Sequence, residues 1–324
     1  MSATAPSAPK LIFGSNPFFE GDVAVIKQWL ETLREFGIKT IDTAQFYGES
    51  EAGLGQAHAA ADFTIDTKLS CMAMGEPASK ANVIKYGRES LKKLQTDSVD
   101  VYYLHLPDRS VPFEDTMSGL QELYEAGAFK RLGLSNFLAH EVDEIVAVAE
   151  KHGWVKPSVY QGNYNAVARG AEAELLPTLR RHGMSFYAYS PSAGGFLTKT
   201  PDGLVGARWD TSGQLGKLYS SLYKRPSLLE ALKTWGELAA EEGASRGELA
   251  YRWNMHNSAL SPAHGDGLIV GARTTDQLKE VLGWIAKGPL SPAVVDKINV
   301  LWEGIKDDAP LDNLNSTTQG WALK

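Results

Sequence analysis

The sequence predicts an α/β fold, a parallel (β/α)8 or TIM barrel, and two observations predict it. Short runs rich in Val, Ile, Phe and Tyr recur eight times along the 324 residues, with amphipathic helical segments between them. Eight strand–helix repeats in a chain of this length are what a parallel sheet closed on itself requires. The competitor, a doubly wound open sheet, usually carries a glycine-rich turn after its first strand, and no G-x-G-x-x-G occurs here.

The candidate strands are LIFG (11–14), KTID (39–42), FTIDTK (63–68), VDVYYLH (99–105), FKRLGLS ending at Ser135, SVYQ (158–161), MSFYAYS (184–190) and GLIVG (267–271). Four stripes at helical spacing fall between or after them: Val23, Ile26, Leu30 and Leu33; Val142, Ile145, Val146 and Ala149; Leu228, Leu232, Trp235 and Leu238; Leu278, Val281, Leu282 and Ile285. Gly37 and Gly183 stand where left-handed helix C-caps belong. Two segments break the rhythm. Residues 191–225 read as a long, Gly-rich loop after the seventh strand, of the kind that serves as a lid or clamp. Residues 307–324 read as a polar tail after a last helix, anchored by Trp321. No linker divides the chain, so residues 1–10 are expected to be a disordered lead and 11–324 one barrel domain.

Bulk properties exclude several function classes. A net charge of −7 leaves no basic footprint for nucleic acid or an anionic membrane. No apolar run approaches the ~20 residues that span a bilayer. Cys71 is the only cysteine, so an internal disulfide and a cysteine metal cluster are both ruled out. The expected setting is reducing and cytoplasmic, which makes the sequon at Asn315 incidental. His256 and His264 are eight apart without a carboxylate at ligand spacing, and His140 and His152 read as helix-surface residues, so no metal site is expected.

In such a barrel, polar residues at the C-terminal strand ends line the active-site mouth. The second strand ends in Asp42, with Tyr47 on the following loop. The third offers Lys68, the fourth His105, the fifth Ser135 and Asn136, the sixth Gln161 and Asn163, and the seventh Tyr189 and Ser190. Asp, Lys, His and Tyr together form an acid/base set. A phenol near pKa 10 is too weak an acid at neutral pH. A neighbouring ammonium favours phenolate, and a carboxylate holds that ammonium in place. A neutral imidazole can orient a carbonyl oxygen. Each residue also has an ordinary reading: Asp42 as a turn former, Tyr47 as a half-buried aromatic, His105 as a satisfied core histidine. Lys68 is harder to read that way, since a lysine closing an alternating strand should otherwise point to solvent, and the ordinary readings taken jointly are a poorer account than one site.

The motifs IDTAQFYG (41–48), TK (67–68), DVYYLHLPD (100–108), LGLSNF (132–137), VYQGNYNA (159–166), FYAYSPSAGGFLT (186–198) and LIVGARTTDQLKE (268–280) resemble the aldo-keto reductase superfamily. SPAHGDGLIVG (261–271) and GPLSPAVVD (288–296) bring it closest to the aflatoxin aldehyde reductase branch. The resemblance runs from about residue 11 to 306. It implies NADPH-dependent reduction of aldehydes and ketones, with hydride passing from nicotinamide C4 to the carbonyl carbon.

By the same resemblance, Tyr47 matches the proton donor, Asp42 and Lys68 the pair that tunes it, and His105 the residue that orients the carbonyl. Ser135, Asn136 and Gln161 match the carboxamide partners, with Asp42 beside them, and Tyr189 the ring on which nicotinamide stacks. The loop from Ser190 to Lys199, through Pro191, Ser192, Gly194, Gly195 and Leu197, matches the pyrophosphate cover, with Arg208 a basic residue of that region. Gly271 to Glu280, with Arg273, Thr274, Thr275 and Gln277, matches the adenosine-phosphate segment. The hydroxyls of Thr274 and Thr275 would lie beside free amides at a helix start. Three places depart from the pattern: GSNPFF (14–19) after the first strand, the ending LNSTTQGWALK (314–324), and Gln277 where other branches carry Arg for the 2′-phosphate, with Arg273 nearby. The expected partners are a small carbonyl substrate and a second copy of the chain in a homodimer. The alternative is a cofactor-binding regulatory subunit on the same fold, like the β subunits of potassium channels.

Overall fold

The computed structural model describes residues 8–206 and 208–316. Strands β1 (Lys10–Gly14), β2 (Thr40–Asp42), β3 (Thr64–Leu69), β4 (Val99–Leu104), β5 (Phe129–Ser135), β6 (Pro157–Asn163), β7 (Ser185–Tyr189) and β8 (Gly267–Val270) pair in parallel, and β8 returns to β1 to close the barrel. Helices α1 (Val23–Glu35), α2 (Ser50–Gln56), α3 (Lys80–Leu94), α4 (Phe113–Glu125), α5 (Ala139–His152) and α6 (Leu175–Arg181) follow the first six strands in turn. After β7 come α7 (Gln214–Tyr223), α8 (Pro226–Glu241) and α9 (Arg246–Arg252); after β8 come α10 (Thr275–Ala286) and α11 (Pro292–Ile305). No helix among the described residues is long and apolar enough to cross a membrane.

All eight predicted strands are present, with ends moved by one or two residues. β1 starts at Lys10, inside the segment expected to be a disordered lead, because the Lys10 amide donates to Asp266 O at 2.8 Å. Residues 1–7 and Trp321 lie outside the described residues. β6 runs on to Asn163, which brings Asn163 level with Tyr189 of β7.

The helical stripes are buried as their spacing predicts. Ile26, Leu30 and Leu33 of α1 face the sheet, as do Val142, Ile145, Val146 and Ala149 of α5. Each fully buried aliphatic side chain stabilises by about 1.5–3 kcal/mol. The Asp22 carboxylate starts α1 by accepting from the amides of Ala24 and Val25. Gly37 and Gly183, at φ 69° and 66°, end α1 and α6 in the left-handed region that a Cβ disfavours.

Side chains alternate across each strand, and this sorts residues into two cores. Ile41, Ile65, Leu69, Tyr102, Leu104, Leu132, Leu134 and Tyr160 point outward to the helices. Ile12, Val101, Tyr103, Val159, Tyr187 and Ile269 fill the barrel interior. Gly133 is required there, since a Cβ on it would sit 2.2 Å from the Tyr103 ring. Continuing the inward alternation to the strand ends gives Asp42, Lys68, His105, Ser135, Gln161 and Tyr189. The pleat itself delivers these residues to the mouth.

Residues 191–225 do not form the single loop expected. A 3-10 stretch at Ala193–Thr198 is kinked at Gly194 and Gly195, and α7 occupies Gln214–Tyr223. Leu215, Leu218, Tyr219, Leu222 and Tyr223 carry a helical period that the interspersed Gly and Ser disguise. Aromatic contacts hold the segment down: Phe196 against Tyr223 at 5.4 Å, Phe196 against Trp209 at 6.0 Å and Trp209 against Tyr219 at 6.1 Å.

Candidate active site

Asp42, Tyr47, Lys68 and His105 come together at the C-terminal mouth of the barrel. Lys68 Nζ donates to Asp42 Oδ2 at 2.6 Å and to Thr43 O at 2.8 Å. Its ammonium lies 4.8 Å from the centre of the Tyr47 ring. Asp42 Oδ1 accepts from Gln161 Nε2 at 2.8 Å, a bond that crosses the mouth from β2 to β6. Tyr47 and His105 meet edge to face with ring centres 6.0 Å apart.

Lys68 is fully buried and Asp42 nearly so. Burial of an ammonium lowers its pKa, yet the Asp42 carboxylate and the Tyr47 phenol outweigh it and hold the lysine above its usual value. His105 is pushed down to about 3, by burial first and by the Lys68 charge second, so the imidazole is neutral at physiological pH. Tyr47 corrects the sequence expectation. Burial of the phenol is the largest influence and raises its pKa; Lys68 pulls it back without reversing the shift. In the free protein Tyr47 therefore holds its proton.

The neighbouring strands add a polar shelf. Asn136 has φ 63°, and its Nδ2 donates to His105 O and to Ser135 Oγ, both at 3.0 Å. Tyr189 OH donates to Asn136 Oδ1 at 2.9 Å. Ser135 and Gln161 are register partners on β5 and β6. Gln161 gives an amide hydrogen to Asp42. Its side-chain carbonyl and the Ser135 hydroxyl are an acceptor and a donor of the kind a primary carboxamide would pair with.

The segment after β7 forms a strained strap. Ser190 has φ 57°, and its carbonyl accepts from Asn165 Nδ2 at 3.1 Å. Pro191 O accepts from Asn254 Nδ2 at 3.0 Å, and Gly194 O from Arg208 Nη1 at 3.1 Å. The Leu197 side chain is fully buried, and its carbonyl accepts from Trp235 Nε1. Gly195 is half-buried and Lys199 exposed. Beyond β8, Gly271, Arg273, Thr274, Gln277 and Glu280 are exposed and Thr275 is half-buried. Thr274 caps α10 by accepting from the Gln277 amide at 3.2 Å, while Gln277 Oε1 accepts from the Arg273 amide at 2.8 Å. Tyr251 OH reaches Gly271 O at 3.5 Å, and its phenol is pushed up to about 12 by burial. His256 Nε2 lies 2.8 Å from Ile285 O.

Several residues that hold this site carry no sequence signal. Ser70 Oγ lies 2.8 Å from His105 Nδ1, and Gln45 Oε1 accepts from the Ser70 amide at 2.9 Å. Asn315 of the C-terminal segment donates to Asn136 O at 3.1 Å and to Asp312 Oδ2 at 2.7 Å, and accepts from Arg109, itself paired with Glu141. Both amide hydrogens of Asn315 are thus engaged, which leaves the sequon without a free acceptor nitrogen. Tyr251 and Asn315 read only as an aromatic in a helix and a polar residue in a tail.

Comparison with known proteins fits this geometry. Residues 10–303 match the aldo/keto reductase family model. An oxidoreductase named sirO from Leptosphaeria maculans is 39% identical over 97% of this chain and all of its own length. The human aldo-keto reductase family 7 member A3 is 36% identical over 89% of this chain and 90% of its own. Human aflatoxin B1 aldehyde reductase member 4 is 37% identical over the same shares.

Proposed function

The chain is an oxidoreductase that belongs to the aldo/keto reductase family, and from that premise we propose that it reduces aldehydes and ketones to alcohols with NADPH. The observation that carries the proposal is the closed set Asp42–Lys68–Tyr47 facing a neutral His105. When bound, the nicotinamide supplies hydride to the carbonyl carbon. Ser135, Asn136 and Gln161 would hold its carboxamide, and Tyr189 the face of its ring. The strap from Ser190 to Lys199 with Arg208 would cover the pyrophosphate, and Arg273, Thr274, Thr275 and Gln277 the adenosine phosphate.

The residues of this chain handle the oxygen. His105, neutral, donates a hydrogen bond that fixes the carbonyl without surrendering its proton. Tyr47 holds its proton until negative charge grows on that oxygen, then gives it up. Lys68 steadies the phenolate left behind, and Asp42 keeps Lys68 charged inside the barrel. The preference for NADPH is supported by the exposed cation Arg273 in the adenosine-phosphate segment. The names of the related aflatoxin B1 aldehyde reductases support an aldehyde as substrate.

The test is a purified protein given NADPH and aromatic aldehydes, 2-carboxybenzaldehyde and succinic semialdehyde, with loss of NADPH absorbance as readout. Turnover should fall at least about a thousandfold in Tyr47→Phe, with the cofactor Kd nearly unchanged. Full activity in that variant would sink the mechanism. Tight NADPH binding with no turnover across the panel would favour a regulatory role instead.

A further inference from the structure

We propose that Ser70 is a positioning residue for this reduction: its hydroxyl donates to His105 Nδ1 and so keeps the imidazole hydrogen on Nε2, turned towards the substrate carbonyl. The inference rests on the carbonyl-reductase assignment above and adds to it the group that decides which imidazole nitrogen carries the hydrogen.

Three observations support it. First, the His105 backbone is already fixed, since its amide donates to Leu69 O at 3.1 Å and its carbonyl accepts from Asn136. The ring has one side-chain hydrogen-bond partner among the described residues, Ser70 Oγ at 2.8 Å. Ring orientation and tautomer therefore depend on that contact.

Second, the hydroxyl hydrogen has one good destination. Its other acceptor, Lys68 O, is 3.5 Å away, at the limit of a hydrogen bond. Lys68 O also already accepts from the Gln45 amide at 3.3 Å. A hydrogen given to Nδ1 satisfies both atoms, and a neutral ring must then carry its own hydrogen on Nε2. The burial and the nearby ammonium that keep this ring neutral remove the doubly protonated form from consideration.

Third, Ser70 is itself held. It is almost fully buried, and Gln45 Oε1 accepts from its amide at 2.9 Å. Gln45 in turn donates to Tyr86 O at 2.8 Å and to Ser90 Oγ at 2.9 Å on α3. Gln45 lies two residues before Tyr47. One side chain thus sets the loop that carries the proton donor and the turn that carries the hydroxyl, which fixes the two catalytic groups relative to one another.

The experiment labels the full-length protein with 15N-histidine and reads the His105 tautomer by long-range 1H–15N correlation, with His105→Gln identifying the signals. Wild type should carry hydrogen on Nε2; Ser70→Ala should give a mixture; Ser70→Thr, with room for its methyl in the small cavity lined by Leu69, Ala78 and Leu104, should restore the wild-type pattern. In the aldehyde assay, kcat should fall about tenfold in Ser70→Ala, the worth of one neutral hydrogen bond, with cofactor Kd unchanged and recovery in Ser70→Thr. Hydrogen on Nδ1 in wild type would overturn the proposal, and so would a Ser70→Ala protein with unaltered tautomer and rate. If no aldehyde is reduced by wild type, the carbonyl-reductase assignment fails while the tautomer spectra still decide the role of Ser70.

Discussion

The two halves of the barrel mouth are built differently. The side from β2 to β4 is closed: Lys68 pairs with Asp42 and lies beside the Tyr47 ring, and Ser70 meets His105, before any ligand arrives. The side from β5 through α10 is open. It keeps spare hydrogen-bonding capacity at Ser135 and Gln161, positive φ angles at Ser190, Gly194 and Gly195, and exposed cations at Lys199 and Arg273. Groups that move a proton need fixed geometry and a controlled dielectric. Groups that admit and release a large anion need access and unfilled partners.

Removing a member of the closed side should be costly, and that gives the sharpest way to break the comparison. Lys68→Met leaves Asp42 buried without its ammonium, which should cost about 3–5 kcal/mol of stability in urea unfolding and abolish turnover. Ser135→Ala, on the open side, should stay within about 1 kcal/mol of wild type while weakening cofactor binding. Equal stability losses in the two variants would erase the distinction.

The closed side also stores a titration signature. Asp66, inward on β3 beneath Asp42, is pushed up to about 7, by burial first and by the Asp42 charge next. Since its unfolded value is about 3.9, its stabilising contribution is complete below that pH and is lost as pH rises through 7. His105 acts in the opposite sense. Its folded value of about 3 lies below an unfolded value of about 6.5, so its contribution is complete above 6.5 and lost as pH falls. Between about pH 4 and 6.5 the two slopes cancel. Asp66→Asn should therefore make the stability profile rise more steeply with pH than wild type, by about 1.4 kcal/mol per pH unit in that window. An unchanged slope would mean that the inner column titrates elsewhere.

The open side should respond in affinity rather than stability. Gln277→Arg gives up the bond to the Arg273 amide but adds a guanidinium, and should shift the NADPH-to-NADH affinity ratio about tenfold towards NADPH, measured by fluorescence titration. Thr274→Ala removes an exposed helix cap and should cost only about 0.5 kcal/mol, the smallest effect of the series.

Much of the closed side was legible in the sequence, because strand alternation projects Asp42, Lys68 and His105 to the mouth from residue types alone. What stayed hidden depends on distance and burial. Tyr47 was expected to be made more acidic by Lys68; the opposing burial of the phenol cannot be read from a string of letters. Ser70 and Asn315 act through partners 35 and 179 residues away, and nothing local marks them. The α7 helix was missed for a different reason: its apolar period is present, but glycines and serines between those positions look like loop.

The bond from Gln161 to Asp42 has a consequence for recombining this barrel with its relatives. A chimera joined between β4 and β5 inherits the carboxylate from one parent and the amide from the other. Such hybrids should be active whenever both parents keep that pair within reach. Where they do not, Asp42 keeps Lys68 but loses the tie across the mouth, and the site drifts open while the barrel stays intact. Crossover points placed after β6, which keep Asp42 and Gln161 from one parent, should therefore give active hybrids more often than crossovers at the midpoint of the chain.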